Sequence, residues 1–139
     1  MQNYIYFLTI FILIIIAYID FKTYLIPLKY NIAIACVGIV NLIYNSTNIL
    51  SYLISTIIIF ILLMLGAYLT DGGIGGGDIQ LFTALTLIVG KDILYIIMYT
   101  SIIGTIFLIP LILAKKLKLK SGVALAPFIM LGTLTHLFL

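Results

Sequence analysis

From Tyr4 to Ile19 the chain carries no charged residue, and at helical rise that run approaches the ~20 residues a bilayer crossing needs. With its flanks it makes a first apolar segment at about 4–20. Five more follow at about 29–44, 49–69, 78–89, 93–114 and 122–138, divided by short breaks rich in Asn, Gly, Asp and Lys. The runs are too long and unbroken for half-buried strands, and lipid cannot satisfy an open sheet edge. Hydrophobic residues make up 65% of the 139 and charged residues 8%, a balance that would leave uncovered apolar patches in water. The expectation is an all-α integral membrane protein, a bundle of about six transmembrane helices. It forms a single domain over residues 1–139, crosses the plasma membrane several times and has the lipid bilayer as its solvent. No basic segment precedes the first run and no A-x-A site follows it, so it is expected to be a retained helix rather than a cleaved signal.

The lysines orient this bundle. Breaks after the first, third and fifth segments fall on one side and hold Lys22, Lys29, Lys115, Lys116, Lys118 and Lys120; the other side holds Lys91. Lysine excess marks the cytoplasmic side, which puts the N-terminus outside. The cluster at 115–120 is expected to be a topology signal on a solvated loop.

Several function classes drop out. The single Cys36 excludes an internal disulfide and a CxxC metal site, and is expected in the core or against lipid. With one Cys, one His (His136) and no Glu, no metal set can be drawn, and neither metal nor cofactor is expected. The net charge of +3 comes from lysines without the aromatic–basic interleaving of single-stranded nucleic-acid binders, so no nucleic-acid partner is expected. Both a monomer and a homo-oligomer stay open.

The stretch TDGGIGGGDIQLF, residues 70–82, breaks the apolar pattern. It holds five glycines and two of the chain's four acids. No GK[ST] follows and no strand precedes, so it is not a phosphate loop. It reads either as a linker or as a place where a second backbone approaches, since glycine permits close contact. The segment after it is short, about 18 Å at helical rise, and is expected to lie inside the bundle with the glycine loop as a cavity wall. Of the acids, Asp92 sits beside Lys91 on the outer side as a loop charge. Asp20, at the end of the first segment, and Asp78, at the start of the fourth, are expected at one depth on the cytoplasmic side. Two such carboxylates can share a proton and work as an acid–base pair on water. Alternatively Asp78 is the N-cap of the fourth helix and Asp20 pairs with Lys22 or the nearby loop. An enzyme and a proton- or ion-coupled transporter both remain readings of the same acids.

Gly75-Gly76-Gly77-Asp78 resembles the GxGD motif of membrane aspartyl peptidases. IDFKTYLIP, 19–27, is similar to the first-aspartate motif of type IV prepilin and preflagellin peptidases, in which an Asp at a helix end precedes an Ile-Pro pair. GGGDIQLFTALTLIVG, 75–90, resembles their second motif, and ALAPFIMLG, 124–132, their last helix. The resemblance spans essentially the whole chain. It implies an aspartic-type endopeptidase with Asp20 and Asp78 as the catalytic pair. Gly75, Gly76, Gly77 and Pro27 would be the loop residues bordering the substrate. The implied substrate is a prepilin-like or preflagellin-like protein whose short basic leader is cut where it joins a hydrophobic helix. It further implies the short form, without the four-cysteine zinc region and methyltransferase activity of larger members. Where the family usually has Lys two residues after the second Asp, this chain has Gln80; where it often has Asn after Ile-Pro, the chain has Leu28.

Overall fold

The computed structural model describes residues 2–113 and 123–138, and these are helical apart from short connections, with no strand among them. Six α-helices follow in order: α1 Gln2–Thr23, α2 Leu28–Tyr44, α3 Ile49–Leu69, α4 Gly76–Val89, α5 Ile93–Leu113 and α6 Ala126–Phe138. Single 3-10 turns at Ser46–Asn48 and Gly90–Asp92 lead into α3 and α5. Each expected apolar segment is one helix. The lysine cluster at 115–120 lies outside the described residues.

Isoleucine-rich runs are mediocre helix formers by propensity, but without water the backbone must satisfy its own polar groups, and a helix does so within one segment. The hydroxyls follow the same logic. Thr9, Thr86 and Thr133, all buried, donate to the carbonyls of Ile5, Phe82 and Ile129, four residues back.

Three helical stretches are long and apolar enough to cross a membrane: Gln2–Thr23, Ser46–Leu69 and Gly76–Pro110, the last passing through the turn at Gly90. Helices α2 and α6 are apolar but shorter. Phe7, Phe11, Leu50, Ile57, Ile61 and Ile106 point outward, a surface suited to lipid and not to water. Together these features describe a helical membrane protein.

Helix α4 is the interior element, as its length suggests. Ile79, Leu81, Phe82, Ala84, Leu85, Ile88 and Val89 are buried along it, whereas α3 buries only Ile59 and Leu63. It packs mainly on α2 and α3, while α1 and α5 both pack on α6. Gly90 ends α4 at φ +62, and a Cβ there would stand 3.0 Å from the Tyr52 ring, so glycine is required on both counts.

The α2–α4 contact has a definite register. The Asn31 side-chain amide donates to the Gly77 carbonyl, 3.2 Å, and that of Asn41 to the carbonyls of Leu87, 3.2 Å, and Ile88, 3.0 Å. Ten residues on α2 thus match ten on α4, so the two helices run parallel over about 15 Å. Between the clamps, a Cβ on Gly38 would lie 2.5 Å from the Leu87 Cβ. Helices in lipid associate through such small-residue contacts and side-chain hydrogen bonds, since apolar burial gives little drive there.

Gly38→Ala must therefore push α2 off α4. A loss of about 1–3 kcal/mol is expected, the usual cost of overpacking. Thermal unfolding in detergent, compared with Ala substitution at outward-facing Ile39, measures it.

Candidate active site

Asp20 lies in the last turn of α1, which continues to Thr23 beyond the expected end of the segment. Its side chain is buried, 4% exposed. One carboxylate oxygen, Oδ2, accepts the backbone N–H of Ala126, 2.9 Å, at the first residue of α6. The local chemistry of α6 explains the bond. Pro127 has no N–H, and those of Phe128 and Ile129 both donate to the Leu125 carbonyl at 3.0 Å. Ala126 holds the remaining donor of that first turn, and Asp20 takes it, at the positive end of the helix dipole. The alternative pairing of Asp20 with Lys22 is not found: the Lys22 ammonium lies over the Tyr18 ring, 4.5 Å from its centroid.

The segment after Asp20 turns sharply. The Tyr24 N–H still donates to the Asp20 carbonyl, 2.8 Å, but Tyr24 itself sits at φ +54, a strained conformation for a bulky residue. Leu25 to Pro27 are non-helical. Pro27, with φ −68 and ψ 131, is the N-cap of α2 and so fixes where that helix starts.

The glycine stretch divides into two devices rather than one loop. Its first half terminates α3. The N–H of Gly72 donates to the Ala67 carbonyl, 2.8 Å, and that of Asp71 to Tyr68, 3.3 Å, with Asp71 at φ +55. This is a Schellman closure with Asp where glycine is usual, and it gives Asp71 a structural task on the exposed surface. The second half starts α4. Gly75 is its N-cap, Gly76 and Gly77 are helical, and Asp78 is its third residue. The expectation of Asp78 as N-cap is corrected, because α4 begins two residues earlier than the apolar pattern does.

A partly buried side chain, Asp78 folds back over its own helix start: a Cβ on Gly75 would come within 2.8 Å of its Oδ2. Gly77 lies against Ile26, whose Cβ would be 3.0 Å from a Cβ at 77. The two aspartate motifs therefore touch, through Gly77 and the residue before Pro27. Asn31 reinforces the contact, donating also to Gln80 Oε1 at 3.3 Å. The end of α1 and the starts of α2, α4 and α6 thus meet at one end of the bundle.

The other polar candidates lie elsewhere or serve packing. Asp92 follows Lys91 in the turn at the opposite end of α4. His136 stacks on Tyr95, ring centroids 6.0 Å apart, and Cys36 is exposed. Among the described residues no three His, Cys, Asp or Glu side chains gather to hold a metal. Sequence reasoning missed Asn31 and Ala126. An Asn inside an apolar helix is a signal that could have found the first, and a Pro one residue inside a helix start the second.

No solved structure matches the chain. Prepilin peptidase EppA of Methanocaldococcus jannaschii is 32% identical to it, over 76% of this chain and 32% of that protein. The chain thus spans about a third of the length of that curated relative. The model of the type IV leader peptidase family matches residues 7–109, which cover both aspartate motifs. On this match the chain belongs to the type IV leader peptidase family.

Proposed function

We propose that the chain is an intramembrane aspartyl endopeptidase that removes the short basic leader from prepilin-like or preflagellin-like proteins at the cytoplasmic face of the plasma membrane. The observation that supports this proposal is the contact of the two aspartate motifs at one end of the bundle, Gly77, the residue before Asp78, lying against Ile26, six positions after Asp20. The described helices act as one peptidase unit that crosses the bilayer six times, with the lysine-rich breaks inside.

In this proposal one carboxyl of the pair works in its ionised form and the other in its protonated form, as general base and general acid. The ionised member takes a proton from a water as its oxygen attacks the scissile carbonyl carbon. The protonated member gives its proton to the carbonyl oxygen, and the gem-diol forms. Collapse breaks the C–N bond: the leaving nitrogen takes the proton that the first carboxyl drew from water, and a gem-diol hydroxyl returns a proton to the second carboxyl as the product carboxyl forms. The base and acid roles are assigned to the pair and not to either member alone. Near-burial of Asp20 and its Ala126 hydrogen bond hold one carboxyl still, and Gly75 leaves room for the other. Gly76, Gly77 and Pro27 border the entry of the leader. A proton- or ion-coupled transporter draws no support from the family match.

Asp20→Asn and Asp78→Asn should each cut cleavage of a prepilin-like substrate by about 100-fold or more, the scale of lost acid–base catalysis. Asn keeps a carbonyl for the Ala126 N–H, so Asp20→Asn should leave thermal stability near wild type, whereas Asp20→Ala should cost about 1–2 kcal/mol. Wild-type turnover in either Asn variant would overturn the pair.

Gly75→Ala moves the Asp78 carboxyl aside and should slow cleavage about tenfold or more at little cost in folding. Asp71→Asn, in the Schellman turn, should stay within about threefold of wild type, since Asn also adopts the left-handed conformation. A gel assay of leader removal in membranes reads Asp20→Asn, Asp78→Asn, Gly75→Ala and Asp71→Asn.

A further inference from the structure

A groove of about 250 Å³ runs along α4 beside the candidate site. Asn31, Ile32 and Ala35 of α2 form one wall, Phe60 of α3 the other, and Thr83 and Leu87 the floor. Ile32 and Phe60 are exposed, so the groove opens outward. Its size suits side chains of a docking helix rather than a whole helix.

One polar residue of that lining stands out. Asn31 is 4% exposed, and its Oδ1 has no hydrogen-bond partner. The amide cannot simply be turned round, because its other end faces the Gly77 carbonyl, which only accepts. A buried acceptor left unpaired costs roughly 1–3 kcal/mol, so it calls for a donor. A lipid tail filling the groove brings none. A helix that begins there does, because its first four N–H groups have no partner of their own.

We infer that this groove seats the apolar helix of the substrate, with Asn31 Oδ1 accepting a free N–H at that helix's start. The inference rests on the peptidase reading and says where the substrate lies. The Asn31 end of the groove adjoins Gly77, the residue before Asp78. A helix seated along α4 toward Leu87 thus leaves the peptide just before its first turn beside the two aspartates. The cut then falls at the leader–helix junction because the helix is held and the leader is not.

Photo-crosslinking tests this. A benzoylphenylalanine is placed singly at Phe60 or Ile32 in the groove, and at Phe7 or Phe11 on the outward face of α1 as controls. The Asp20→Asn background keeps the substrate whole, and the probe is a basic leader joined to an apolar helix in lipid vesicles. Groove positions should give adducts that map to the first turns of the substrate helix and fade under unlabelled substrate; the controls should not. In an active background, Ala35→Phe should raise KM about tenfold or more while kcat changes little, the pattern of lost uniform binding. Equal adducts from α1, or none from the groove, would overturn the inference while wild-type protein in the same vesicles still cleaves. Failure of wild-type protein to cleave would overturn the peptidase reading and the groove with it.

Discussion

The asparagine clamp between α2 and α4 is the constraint on which the site depends. In lipid, sliding two apolar helices past each other changes little in burial, because tails replace side chains on equal terms. Register has to come from groups that lipid cannot satisfy. Asn31 meets Gly77 and Asn41 meets Leu87, each 46 positions on, so both bonds form in a single register. Gly38, held against Leu87 between them, lets the backbones come close enough for short side chains to reach. That register puts Ile26 beside Gly77 and the Asp20 motif beside the Asp78 motif.

A second tie completes the arrangement. Asp20 is the partner of a helix start more than a hundred positions away, so α1 and α6 are fixed to each other at the same end where α2 and α4 are clamped. The carboxylate therefore has a structural and a proposed chemical task at once. One oxygen serves the Ala126 N–H; the proposed chemistry falls to the rest of the group. An acid held by a helix start loses freedom to rotate, and a proton-transfer group gains from that restriction, since geometry precedes pKa in deciding whether it can act.

Much of this fold was legible because the solvent is lipid. A segment such as 49–69 has one low-energy form there, and its helix runs from Ile49 to Leu69 as the apolar run does. The short fourth segment likewise announced an interior helix. What stayed hidden depended on partners distant in sequence. Nothing local to Asp20 indicates Ala126, and nothing local to Asn31 indicates Gly77. The start of α4 was displaced for another reason: glycines carry no apolar signal, so a helix whose first residues are Gly76 and Gly77 seems to begin later than it does. The same gap made Gly75–Gly77 look like a loop and Asp78 like a cap.

Gln80 shows how such partners alter the meaning of a motif. The related peptidases usually place a lysine there, and an ammonium group can only donate. In this chain the Gln80 carbonyl oxygen accepts from Asn31, so a donor on α2 and an acceptor on α4 replace a charge. Gln80 therefore adds no positive charge near Asp78, which lies in the first turn of α4 at the positive end of that helix. For the proposed reaction this leaves the positioning of the two aspartate motifs to the packing itself, from the asparagine clamp to Gly77 against Ile26.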